Sequence, residues 1–229
     1  MWTESGVSSV STDPEIVAAA HRTAAVLREA GHDVAEIAIP AGFDEELIRS
    51  FTATFAATVS AAVEQAVPER RRATRTDFTR YLVASGKRLS AADLALAQAM
   101  QAAYASSFLV ALNEFDAALT PTTTAPPVPI GHFTADGADG VLGLMLEWSC
   151  HTPWANLTGQ PAVSVPAGFT PSGLPMGVQI VGRHQEDAAV VAVAKQLEDV
   201  QRWDENVPPE PQGRGGGAVP DAHLKEKSE

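Results

Sequence analysis

Cysteine is nearly missing from this sequence. Cys150 is the only one in 229 residues, so no internal disulfide can form, and a reducing cytoplasm is the compartment this predicts. Basic charge is also scarce. Lys and Arg number 16 against 28 Asp and Glu, a formal net charge of −12, and a chain so charged repels phosphate backbones unless it gathers a basic patch. The one basic cluster, Arg70, Arg71, Arg72 and Arg75, has no aromatic side chains interleaved with it. It reads as a solvated face, and no nucleic-acid partner is expected. No apolar stretch is read as long enough to span a bilayer, so no membrane partner is expected. Met1, Trp2, Thr3, Glu4 and Ser5 offer neither a basic start nor an apolar run, so no secretory signal is expected there.

Groupings that could carry chemistry are missing as well. Metal sites need ligands converging at short helical or turn spacings. The histidines (His21, His32, His132, His151, His184 and His223) show no such spacing with one another or with Cys150, so neither a metal nor a cofactor is expected. His132 and His151 read as loop residues with satisfied hydrogen bonds. No glycine-flanked serine of the G-x-S-x-G type occurs. Ser85 and Lys87 stand too close in sequence for a serine–lysine pair on a helix and read as a loop. Cys150, between Trp148 and Trp154, reads as buried, and burial without a cation beside it makes a thiol inert.

What the chain does have is the grammar of an α/β protein. Apolar residues make up 45% and charged residues 19%, ordinary for a packed globular chain. Thr12-Asp13-Pro14-Glu15 is a helix start, and Gly31 is placed to stop that helix. Residues 34–39 read as a buried strand closed by Pro40. Residues 44–66 read as a long helix with a stripe of Phe51, Phe55, Val59 and Val63, broken at Pro68 and the arginine run. Ser90 and Asp93 are spaced as a capping pair for a third helix, with a stripe of Leu96, Met100, Tyr104, Phe108 and Leu112. A short strand follows from Asp116 to Pro121, then a stiff extended loop over 122–129 with prolines at 126, 127 and 129. Residues 131–143 read as a flexible excursion. Residues 162–165 and 177–181 read as two sheet-core strands, adjacent and antiparallel, and Asp187 opens a last helix. About four strands are expected in all. The chain divides into an ordered unit over 1–206 and a Pro/Gly-rich charged tail over 207–229, too poor in apolar residues to order itself.

The stretch from Asp116 to Leu197 resembles the carboxyl-terminal region of the amidase-signature family. Four segments carry the resemblance in order: Asp116-x-x-Leu119-Thr120-Pro121-Thr122, Asn156-Leu-Thr-Gly159-Gln160-Pro161-Ala-Val-Ser-Val-Pro166, Gly173-Leu174-Pro175-Met-Gly177-Val-Gln179-Ile-Val-Gly182, and the helix from Asp187 with Arg202, Trp203 and Pro208 after it. Upstream, Thr12 to Glu15, Leu27, Gly31, His32 and Val34 are similar to the helix and strand that follow the family's catalytic core.

That resemblance implies the carboxyl-terminal part of a mixed-sheet α/β fold with helices packed on the sheet. Members of the family hydrolyse or transfer amides with a Ser–cis-Ser–Lys triad, and the segment carrying it lies upstream of the region matched here. No catalytic residue is therefore carried over. What carries over is a substrate-pocket wall formed by Thr122, Trp154, Asn156 and Gln179, with a small-molecule amide as the ligand of the full-length protein. The chain is expected to be inactive alone, low in independent stability and prone to self-association through exposed apolar surface. Two other readings stay open: a non-catalytic ligand- or partner-binding module derived from an amidase, and part of a protein similar to the family's representative in the aminoacyl-tRNA amidotransferases.

Overall fold

A computed structural model describes residues 1, 3, 10–38, 44–72, 74–135 and 137–206. The 207–229 tail, Ile39 and Pro40 lie outside the described residues. Helix α1 (Pro14–Glu29) begins as its sequence predicts. The Asp13 carboxylate accepts the Glu15 N–H at 2.7 Å, Pro14 occupies the first turn, and Gly31, with φ +95°, takes the left-handed conformation after the last turn. Helices α2 (Glu45–Ala66), α3 (Glu69–Arg72), α4 (Asp77–Arg88) and α5 (Ala91–Ala111) follow. Ser90 and Asp93 form a reciprocal capping box at the start of α5. Strand β1 (Ala117–Pro121) leads to α6 (Val141–Trp148) and α7 (Pro153–Thr158), then β2 (Ala162–Phe169), β3 (Pro175–Gly182) and α8 (Asp187–Gln201).

The sheet has the order β1-β3-β2, with β3 pairing both neighbours antiparallel. Gln179 stands opposite Thr120 on one side and Ser164 on the other. Because side chains alternate along a strand, β3 sends Val178 and Ile180 to one face and Gln179 and Val181 to the other. The first face meets α1 and α8 in a core of Ile16, Ala20, Leu27, Leu119, Val165 and Leu197. The second face meets α5 and α7 through Phe108, Leu112, Ala118, Cys150 and Trp154. Phe108 and Trp154 stack there at 4.2 Å and 30°. A third cluster, Ala56, Leu82, Leu142 and Leu146, joins α2, α4 and α6.

Several sequence expectations are corrected. The described residues contain three strands, not four. Residues 32–38 lie outside the sheet. Their strand-like pairing, among the described residues, is with Met1: Met1 N donates to Ala35 O at 2.7 Å and Ile37 N to Met1 O at 2.9 Å. Ser85 and Lys87 lie within α4, not in a loop. Residues 141–143 begin α6 rather than ending a flexible excursion. On α2 the buried face is Leu47, Ser50, Ala56 and Ser60, while Phe55 is 40% exposed. Small residues line that face because α4 crosses it closely at Gly86. On α5 the buried residues are Ala97, Tyr104, Ala105 and Phe108, whereas Leu96 is 64% exposed. By length and apolar composition alone α5 could cross a bilayer, so the expectation that no stretch reaches that length does not hold for it. Here it packs against α2 and α7.

His151 is also corrected. It is buried, its Nε2 shares a 2.9 Å hydrogen bond with Thr12 Oγ1, and its Nδ1 has no hydrogen-bond partner among the described residues. Burial lowers its pKa from 6.5 to about 4.

This packing can be tested at two positions. A Cβ on Gly86 would lie 2.4 Å from Ala56 O and 2.8 Å from Ser60 Cβ. Gly86→Ala should therefore destabilise the chain by about 1–3 kcal/mol through overpacking, although helix propensity alone favours alanine by about 1 kcal/mol. A urea midpoint that rises on substitution would contradict the close crossing. For His151, the unfolded chain takes up a proton near pH 6.5 while the folded chain resists it down to about pH 4. Stability is then full above pH 6.5 and falls with pH through that window, by up to about 3 kcal/mol. Denaturant titrations from pH 7 to 4 should show this fall, and His151→Leu should flatten it. An unchanged slope in the variant would rule His151 out as its source.

Candidate functional site

The site is built on one half of the α5-facing side of the sheet, beyond the part that α5 and α7 cover. Thr120 and Gln179 form its buried layer. Gln179 Nε2 donates to His151 O at 2.9 Å and to Thr120 Oγ1 at 3.3 Å, so its carboxamide ties the central strand to both the edge strand and the turn before α7. A buried carboxamide is stable only with such partners. Ser164 stands beside Gln179 on β2. Its hydroxyl meets that of Thr122 at 2.7 Å, while Thr122 N donates to Gly177 O at 3.1 Å. Gly177 makes room for this pair: a Cβ there would sit 3.3 Å from each hydroxyl oxygen. The result is a polar row in which the Thr122 and Ser164 hydroxyls line a shallow depression of about 360 Å³, bordered by Pro127, Trp148 and Pro175, and the Gln179 carboxamide is buried beside them.

The loop over this floor is fastened chiefly at Thr124. Thr124 is buried; its N–H donates to Trp148 O at 2.8 Å and its hydroxyl reaches Glu147 O and Trp148 O. These are carbonyls of the last turn of α6, which helix geometry leaves without partners. Asp13 N donates to Thr124 O at 2.7 Å, and Trp148 Nε1 to Pro126 O at 3.3 Å.

Of the four residues read from sequence as a pocket wall, the structure brings two together. Thr122 and Gln179 share the polar row. Trp154 does not reach it, being 1% exposed and stacked on Phe108 in the core. Asn156 is on an exposed position of α7. Sequence reasoning passed over Thr120, Ser164 and Thr124. The alternation of Thr120 with Thr122 was a usable signal, whereas Ser164 is hidden within an apolar strand and Thr124 within the proline loop.

Thr12 and His151 have the form of a nucleophile and a base. Burial, however, lowers the imidazole pKa to about 4, which makes it a weak proton acceptor, and Nδ1 has no group among the described residues to orient it. The polar row can hold a ligand by hydrogen bonds. Within it, no hydroxyl is paired with a base.

Comparison with known proteins places this geometry in context. Residues 1–191 match the family described as Amidase. AmiB2 of Mycobacterium tuberculosis, named as an amidase, is 33% identical over 189 residues, which make up 82% of this chain and 39% of that protein. A glutamyl-tRNA(Gln) amidotransferase polypeptide of Acidobacterium capsulatum is 38% identical over 106 residues, 46% of this chain and 21% of that one. The structure of 6-aminohexanoate cyclic dimer hydrolase is similar in fold, with a TM-score of 0.70 at 24% identity, covering 88% of this chain and 44% of the other. The chain thus spans less than half the length of these relatives. With the family match running from residue 1 to 191 and the fold in agreement with it, the chain belongs to the amidase family.

Proposed function

We propose that this chain supplies the substrate-side wall of an amidase, an enzyme that hydrolyses a carboxylic amide to an acid and ammonia or an amine, and that it does not turn over substrate by itself. The observation that carries this reading is the hydroxyl pair of Thr122 and Ser164, lining the depression and backed by Gln179, which offers hydrogen-bond donors and acceptors to an amide but no activated nucleophile. The nucleophile, its lysine and the oxyanion-binding N–H groups would come from a portion of the enzyme outside this chain. Thr122 and Ser164 would contact the small-molecule amide. Gln179, through Thr120 and the His151 carbonyl, would fix the strands that carry them. A reducing cytoplasm is the setting that a single buried thiol, Cys150, suits.

A second reading is favoured by the 38% identity to a glutamyl-tRNA(Gln) amidotransferase polypeptide over 106 residues: the amide could be a glutamine whose ammonia is passed to an aminoacyl-tRNA. The charge of −12 weighs against a direct tRNA contact by this chain.

The purified chain is expected to release no ammonia or amine above background from simple amides. Release that a serine-directed reagent abolishes would overturn the reading. When the catalytic portion is restored, Thr122→Val should raise KM about three- to tenfold, the equivalent of one lost hydrogen bond, with the fold unchanged by circular dichroism. An unaltered KM would remove Thr122 from the wall.

A further inference from the structure

At the end of the sheet near the β2–β3 turn lies another hollow, of about 470 Å³. Its floor is apolar. Ala167 and Met176 belong to the core that α1 and α8 cover, and Val26 and Trp203 pack against that core. The walls come from three places. Helix α1 supplies Arg22, the end of β2 supplies Phe169, and the close of α8 with the turn after it supplies Gln201, Trp203 and Asn206. Local backbone devices set both aromatic residues. Strand β2 bulges between Pro166 and Phe169, where Gly168 takes a left-handed φ of +97° that an L side chain resists. Arg202, left-handed at φ +49°, ends α8, and its ion pair with Glu205 closes the single 3-10 turn that carries Trp203.

The occupant follows from charge and shape. Arg22 is exposed, and among the described residues no hydrogen bond or ion pair engages its guanidinium. Arg28, Arg183 and Arg202, by contrast, are all engaged. No acidic residue lines the hollow among the described residues. In a chain of net charge −12, an acid-free lining with a guanidinium is a local exception, and it suits a singly charged anion better than a polyanion. A guanidinium matches a carboxylate by two parallel N–H···O bonds. Gln201 and Asn206 add carboxamide donors. Phe169, 54% exposed, and Trp203 offer rings to a flat apolar body. A mostly apolar wall with a few polar groups is the make-up of a small-molecule site.

We propose that this hollow is a binding site for a small aromatic carboxylate, with the carboxylate on Arg22 and the ring against Phe169 and Trp203. It is separate from the amide-facing depression, which no ionisable side chain lines among the described residues; the two share Pro166, Pro175 and Met176 as a common wall. Hydrolysis of an aromatic amide leaves an acid of this class, so under the amidase reading the ligand is within the reaction's own chemistry. The binding itself does not depend on that reading.

The test is to titrate 2-naphthoate, and 2-naphthamide as its uncharged counterpart, into the purified full chain by isothermal titration calorimetry. Naphthoate should bind about fivefold more tightly than naphthamide, the share that one exposed guanidinium–carboxylate pair supplies. Arg22→Gln should weaken naphthoate about fivefold and leave naphthamide unchanged, so that the two probes become equal. Phe169→Ala should weaken both about threefold. Both residues are exposed, circular dichroism checks that the variants fold, and the comparison of the two probes on the unaltered chain needs no variant. Thr122→Val, in the amide-facing depression, should leave naphthoate binding unchanged. Three outcomes would each overturn the site: no binding of naphthoate at millimolar concentration, equal binding of both probes by the unaltered chain, or a loss that follows Thr122→Val and not Arg22→Gln. None of them touches the amidase reading, which stands or falls on ammonia release and on the KM of the restored enzyme.

Discussion

Everything in the sheet passes through β3. The edge strands β1 and β2 share no ladder, and each is paired in the sheet through the central strand alone. Both helical layers read their positions from the same eight residues, one layer from Val178 and Ile180, the other from Val181. A buried carboxamide N–H left unpaired in such a strand costs stability. Gln179 Nε2 avoids that cost by donating to the hydroxyl of Thr120 and the carbonyl of His151. The polar row of the site is therefore an extension of the strand pairing, and its geometry is as rigid as the ladder itself.

Much of this was legible in the sequence where local chemistry is strong. The caps at Asp13 and Ser90 and the positive-φ glycine at 31 act within a few residues, and each operates as its sequence predicts. The strands at 162–165 and 177–181 announce themselves by apolar runs between turn residues. Reading fails where distant contacts decide. Helix α4 contains Gly86, which alone suggests a loop, yet the glycine is there so that α2 can lie against it. The large apolar residues of α2 suggest one buried face, and the small ones needed by that crossing form another.

The same division holds for the site. Thr122 and Gln179 draw notice in the sequence because the segments that carry them resemble a known family. Ser164 was not singled out, because one serine among valines gives no sign that a hydroxyl from the opposite edge strand will meet it over a glycine. Trp154 and Asn156 sit in matching segments but face the core and the solvent. A motif can preserve fold and pocket together, and only the side-chain direction separates the two.

The bonds at Thr124 bear on how freely this chain can drift. Asp13 contributes its backbone N–H and Trp148 its backbone carbonyl, so with respect to this clasp any residue can stand at position 148 and any but proline at 13. Position 124 has no such latitude, since it supplies a hydroxyl as well as main-chain groups. At this clasp three segments far apart in sequence are thus joined by one constrained side chain, and the Trp148 indole adds a second tie to the same loop at Pro126 O.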